Sequence, residues 1–526
     1  MTKCNKNFFQ NLALSLFILL PLLELYRAFF GGRFSLFVFS VEEIPPLLIG
    51  CVLLFAGLFF AVKEGRKKEA LAVLLYFAVG AVYLFLHSAH VLSFKEGIYN
   101  EAEPNFFVEC YYLLRMYFIP IGAGFSMFLL KVPRDRILRA IRCGVAILSG
   151  IIVVTDLLGV SFTAYHDGNK TVLGGFFSWF SLPENTDFAD YTAKGLFNSA
   201  NDLSSLFFAT APLLAWDTFR SEKRFALHFA LLFCQMTAMV MIGTKIASIG
   251  FILGLCAAGA VLAAGYLSRK EKKKIRALLP RACAYALLCA VWAVLLTVSP
   301  GWKMQQNNRS VLEGEHRQTE SVGDISDVLE RVQAPEEKEV PLTPEELEKL
   351  EKYLNEKAYD HYIDSYFLDR YPVEGDVQFW SMVLSRDNTL NQDNRSFKLD
   401  IINRIIERNA NPGDVVFGIG YTSHVPNAEK DFYFQKDLFG IAGLVVLLFP
   451  FFVPFIAGVF FGLKNLFTRK EFEWLALLSI SLGAYFATAY FAGHVFDTLQ
   501  NTYFLSGIAG CLAGVLLQSK TGEETP

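Results

Sequence analysis

Apolar runs of about twenty residues, the length that crosses the hydrocarbon core of a bilayer, recur along most of the chain. About twelve qualify, at 8–30, 43–62, 70–91, 107–130, 141–159, 196–216, 225–242, 246–267, 280–299, 435–462, 472–492 and 499–518. One interval, from about Pro300 to Phe434, is polar. Its first part, "QQNNRSVLEGEHRQTESVGDISDVLERVQAPEEKEVP", reads as solvated chain. Then "TPEELEKLEKYLNEKAYDHYIDSYFLDRYP" predicts a helix: Thr343 caps it, Pro344 suits the first turn and Glu346 completes a capping box. Leu347, Leu350, Leu354, Ile363 and Phe367 supply its apolar face. Further on, Leu399, Ile402, Ile405 and Ile406 recur at helical spacing among Lys398, Asp400, Arg404, Glu407 and Arg408. That pattern predicts an amphipathic helix lying on the bilayer surface. Asn411-Pro412-Gly413 stops it, and "GDVVFGIGY" reads as an apolar strand or turn before the acidic "EKD".

Composition agrees: 53% of the 526 residues are hydrophobic and 15% aromatic, too apolar for an ordinary soluble protein. The net charge of -3 matters less than where the charges stand. "KEGRKKE", "KVPRDRILRAIR", "RSEKR", "SRKEKKKIR" and "LKNLFTRK" follow the second, fourth, sixth, eighth and tenth spans, all on one side. By the positive-inside rule that side is cytoplasmic, with both termini inside and the long polar interval outside. The expected architecture is an all-α polytopic membrane protein. Residues 1–299 carry transmembrane helices 1 to 9, 300–434 form an extracytoplasmic loop domain with amphipathic helices, and 435–526 carry helices 10 to 12. The basic N-terminus precedes an apolar core too long for a cleaved signal. The nine cysteines imply no disulfide framework and show no zinc-type spacing. No internal repeat or soluble nucleotide-binding domain stands out, and no cofactor, metal or nucleic-acid partner is expected.

This topology gathers chemistry-bearing residues at the outer leaflet. Asn201 and Asp202 begin the sixth span, Lys245 lies between the seventh and eighth, and Arg395, His424, Glu429 and Asp431 precede the tenth. His494 and Asp497 follow the eleventh. Arg115 is different, since "YYLLRMYF" places it about two turns inside the fourth span. A charge at that depth costs about 2.5–3.5 kcal/mol on insertion scales, so it calls for a partner: an anionic head group or diphosphate, or an internal acid. His87 and His90, one turn apart near a helix end, need no metal to explain them. Trp179, Tyr371, Trp380 and Tyr421 are aromatics of the outer segments, suited to stacking on sugars or to anchoring at the interface.

At "NAEKDFYFQKDLFGIAG" and the segments around it, the sequence resembles the O-antigen ligase and O-antigen polymerase superfamily of bacterial membrane glycosyltransferases. The family signature His-[Asn/Ser/Gln]-x9-Gly-x-x-[Gly/Thr/Tyr] is matched at Gly440 and Gly443, with Glu429 standing where the histidine would be. This is similar to the Glu-x-Asp form associated with Gram-positive members, in which Glu429 and Asp431 replace the histidine arrangement. "LFNSANDLSSL" resembles the Gly-x-Phe-x-x-x-Asn start of a central span, and "GTKIASIG" the Ser-Arg-x-Ala segment with Lys245 for arginine. "DNRSFKLDIINRII" followed by "VVFGIGY" resembles the arginine-helix-Gly-x-Gly segment, with Arg395 as the arginine.

The resemblance implies a glycosyltransferase type C-like fold and a donor glycan on a polyprenyl diphosphate such as undecaprenyl diphosphate. An acceptor sugar hydroxyl on a glycan or lipid-glycan would attack it at the outer face of the cytoplasmic membrane, in the assembly of a cell-surface polysaccharide such as a capsule. On that reading Glu429, or else His424, takes the acceptor proton and Arg395 stabilises the leaving diphosphate. Lys245, Arg115, Asn201, Asp431 and His494 bind substrate. The plainer readings are an arginine snorkelling to head groups and an acidic helix start favoured by its dipole. A flippase or secondary transporter of lipid-linked saccharides is the alternative function, though no matched pair of interrupted helices suggests internal symmetry. A ligand-binding sensor is weaker still, for want of a cytoplasmic output domain.

Overall fold

The computed structural model describes residues 2–31, 35–36, 39–95, 103–166, 169–183, 186–221, 224–268, 272–314, 325–333, 342–357, 363, 365–387, 389–392, 394–466 and 472–521. They fall into two compact units, one of Met1–Gly80, Leu113–Leu312 and Leu447–Pro526, the other of Ala81–Tyr112 and Glu313–Val446. Among the described residues, 11 helices are long and apolar enough to cross a membrane. They are Asn5–Phe30, Ile44–Lys63, Lys67–Val91, Phe106–Leu129, Arg134–Leu157, Phe225–Ile242, Lys245–Tyr266, Pro280–Val298, Asp431–Asn465, Phe472–Phe491 and Leu499–Leu517. The chain is an all-α polytopic membrane protein. The strands among the described residues are one short antiparallel pair, Ser35–Leu36 with Phe39–Ser40.

In the first unit, the apolar stretch at 196–216 folds as Ala200–Arg220, a helix unlike the other eleven. It carries Asp202, Asp217 and Arg220, and protein covers almost all of its side chains. The Lys245–Ser268 and Phe472–Phe491 helices pack on it. A side chain at Gly250 or Gly254 would press on Phe208 or on Ala211 and Pro212, so small residues permit that approach. The Phe106–Leu129 helix widens into a π turn at Leu114–Phe118, just ahead of Pro120, which has no N–H for the helical ladder. Arg115 lies in that turn and pairs with the Glu43 carboxylate, the internal acid that was one of its two expected partners.

In the second unit, short helices pack around aromatic side chains. Thr343 and Glu346 form the expected reciprocal cap of the Pro344–Lys357 helix: the Thr343 N–H donates to Glu346 Oε2 at 2.8 Å and the Glu346 N–H to Thr343 Oγ1 at 3.3 Å. Leu350, Leu354, Ile363 and Phe367 are buried as expected and Leu347 partly so, but Phe367 belongs to a separate helix, Ser365–Arg370. Residues 315–324 and 334–341 of the polar stretch lie outside the described residues; between them Ser326–Gln333 is a helix packed on Val377–Ser385.

The Asn394–Asn409 helix departs from the bilayer-surface expectation. Its buried face is Phe397, Ile401, Ile402 and Ile405, and the Phe397 ring meets those of Phe367, Phe379 and Trp380. Protein, not lipid, covers that face. The buried Asp376 ties the arrangement together. It accepts from Arg404 Nε at 2.7 Å, Arg404 Nη2 at 3.1 Å, the Tyr371 hydroxyl at 2.8 Å and the Phe379 N–H at 3.1 Å. Burial pushes its carboxyl up, but the bonds from Arg404, Tyr371 and Phe379 together outweigh that and hold it below the usual aspartate range.

Candidate active site

The segment from Ala410 to Gly440 concentrates unusual backbone. Ala410, His424 and Glu429 all take left-handed conformations rare for residues with a side chain, and Gly418, Gly420 and Gly440 share the sign. Of the strand or turn expected for "GDVVFGIGY", the turn is what forms: a single helical turn, Asp414–Phe417, followed by the glycine turn. The glycines have a physical cause. Gly440 (φ 67°, ψ -179°) breaks the Asp431–Asn465 helix, and the Asp437 and Leu438 carbonyls accept instead from the Ile419 N–H at 3.0 Å and the Gly420 N–H at 2.8 Å. A Cβ at Gly418 would strike the Leu438 carbonyl, and one at Gly440 the Val416 carbonyl, so both must be glycine.

The broken helix begins ahead of this crossing. Asp431, buried, is its first residue, and Glu429 precedes it at φ 54°, its N–H donating to Asn427 Oδ1 at 3.0 Å. The Asn394–Asn409 helix brings two cations to Glu429 from one face, since residues three apart are neighbours on a helix. Arg395 Nε donates to Glu429 Oε2 at 3.1 Å, and Lys398 Nζ lies 3.6 Å from Oε1. Lys430 Nζ donates to Ser396 Oγ at 2.6 Å on the same helix. Arg395 and Glu429, separated by 34 positions in sequence, are thus adjacent and half-buried. His424 is exposed, with its ring centroid 6.1 Å from that of Tyr421.

The other candidates belong to the first unit. Lys245 is exposed at the first residue of its helix, and Asn201 is half-buried in the first turn of Ala200–Arg220. Arg115 is held by Glu43. His494, in a left-handed conformation, shares a hydrogen bond through Nδ1 with Asp497 Oδ2 at 2.8 Å, and its carbonyl accepts from Asn501 Nδ2 at 2.8 Å. Among the described residues, His166, Asp187 and Asp190 bring possible metal-ligating atoms within 4.8 Å of one another. The Lys170 ammonium already sits on Asp190, in a cation's place.

Sequence reasoning noted His87 and His90 without a role and passed over Glu109, the acid beneath the turn. Glu109 is completely buried and accepts from the Tyr421 N–H at 3.0 Å, the Thr422 N–H at 2.9 Å and the Thr422 hydroxyl at 3.1 Å. His87 Nδ1 lies 2.6 Å from the Phe417 carbonyl, which can only accept, so that nitrogen carries a proton. Its Nε2 lies 2.9 Å from Glu109 Oε1. One turn on, His90 Nε2 meets Asp414 Oδ1 at 2.8 Å. The two histidines therefore clasp the Asp414–Phe417 turn. Glu109 stands in the first turn of its helix, where an acid is unremarkable, so it lacked the depth signal that singled out Arg115.

A search of curated proteins finds no match to this sequence. The family described as O-antigen ligase like membrane protein matches residues 6–518, nearly the whole chain, including the Arg395 helix, the glycine turn and the Glu429 segment. This chain belongs to the O-antigen ligase like membrane protein family.

Proposed function

We propose that the chain is a glycosyltransferase that polymerises or ligates polyprenyl-diphosphate-linked glycans at the outer face of the cytoplasmic membrane, with both termini in the cytoplasm. The observation that carries this reading is the Arg395–Glu429 pair with Lys398 beside it. In the resting protein the carboxylate holds the guanidinium in position. An arriving diphosphate competes for the same cations, because its oxygens match the guanidinium fork. Arg395 then turns to phosphate, and Glu429 is released to accept a proton. The acceptor hydroxyl attacks the anomeric carbon and its proton passes to Glu429. The bond from that carbon to the diphosphate oxygen breaks, and the polyprenyl diphosphate leaves with the electron pair. Negative charge grows on the leaving oxygen, where fixed cations lower the barrier.

The test is glycan elongation by purified full-length protein in lipid nanodiscs. Arg395→Ala is expected to lower turnover by about 10²–10³-fold and Glu429→Gln by about 10²-fold or more, with thermal stability close to wild type in both. Wild-type turnover in both variants would remove these roles.

A further inference from the structure

We propose that Tyr421 is the platform on which a pyranose ring of the glycan substrate stacks. The proposal rests on the glycosyltransferase reading above and names a subsite for it. Of the four outer-segment aromatics suited to sugars, Trp179, Tyr371 and Trp380 are at most 1% exposed and enclosed by protein, while Tyr421 is 38% exposed. Its ring is the outer member of a stack. Buried Phe439 lies 6.0 Å from Tyr112 at 29°, and Tyr112 lies 3.8 Å from Tyr421 at 12°. Tyr112 covers one face of the Tyr421 ring, which leaves the opposite face as the one a sugar would meet.

The seat is rigid. The Tyr421 N–H is tied to Glu109, which is itself bound by the Thr422 N–H and hydroxyl and by His87. Committing a fully buried carboxylate to hold a surface tyrosine is costly, and head-group anchoring requires no such rigidity. Stacking does, because a platform ordered beforehand loses less entropy when a sugar settles on it. A pyranose presents weakly positive C–H groups from one face, which suit the negative face of an aromatic ring. The exposed His424 ring, 6.1 Å away and tilted by 47°, places a polar group at the platform's edge for a sugar hydroxyl.

The experiment measures kcat and KM of the full-length chain in nanodiscs with a synthetic polyprenyl-diphosphate-linked oligosaccharide. Tyr421→Ala and Tyr421→Leu are expected to raise KM roughly five- to tenfold with kcat changed less than about twofold, and Tyr421→Phe and Tyr421→Trp to rescue it. An unchanged KM in Tyr421→Ala or Tyr421→Leu overturns the platform and favours a membrane anchor. A Tyr421→Phe variant as impaired as Tyr421→Ala overturns it too, by assigning the effect to the hydroxyl. Should Tyr421→Ala fail to insert, Tyr421→Leu against Tyr421→Phe carries the same comparison. No elongation by the wild type removes the glycosyltransferase reading as well, whereas an active wild type matched by Tyr421→Ala removes the platform alone.

Discussion

Glu429 occupies a backbone conformation that costs a residue with a side chain roughly 1–2 kcal/mol, and it does so two residues before the start of a helix. The conformation is held by the Asn427 side chain behind and by Arg395 and Lys398 in front. Strain maintained by several contacts is a mark of sites where geometry matters. Glu109 shows the complementary case, an acid whose hydrogen bonds go to the turn that carries Tyr421 and Thr422. Removing one partner of a buried polar pair leaves the other unpaired. Glu109→Ala should therefore lower stability by about 3–5 kcal/mol, and Glu109→Gln, which keeps an acceptor oxygen, by less. Thermal unfolding of the two purified variants checks this, and equal stability to wild type in Glu109→Ala would contradict the clasp.

The elements of the second unit are joined by a few polar bonds as well as by aromatic packing. Asp376 links the start of the Val377–Ser385 helix to Arg404 on the Asn394–Asn409 helix, the helix that also supplies Arg395. Its folded carboxyl titrates below its ordinary value. The stabilisation is therefore fully present above the unfolded aspartate value of about 3.9 and is lost as the pH falls through the lower folded value. Melting of the full-length chain followed from neutral pH into acid should show this loss, and Asp376→Asn should lower the neutral-pH melting temperature and flatten the acid limb. Identical pH profiles would contradict the linkage. The capping box of the Pro344–Lys357 helix was readable from Thr343 and Glu346 because a cap is local. The lining of the Asn394–Asn409 helix was not, because periodicity marks which side chains need burial and cannot say whether lipid or Trp380 provides it.

At the scale of the molecule, the succession of apolar runs made the polytopic architecture legible, since each span must satisfy its own backbone within the bilayer. The run that stands apart in composition is Ala200–Arg220, a helix of span length that carries three charged residues and is sheathed by protein. The candidate site was legible only in part. Arg395 and Glu429 stood out by residue type and family signature, and the structure pairs them. Glu109 did not, and His87 was noticed without its role, because the turn both of them hold is hundreds of positions away.

The central claim is that bonds to sugar are made here, not that sugar is carried across. It is tested most directly by giving the reconstituted chain a labelled polyprenyl-diphosphate-linked oligosaccharide and resolving the products by size. The account predicts longer glycans with one polyprenyl diphosphate released for each bond formed. Movement of label across the bilayer with every glycan at its original length would contradict it.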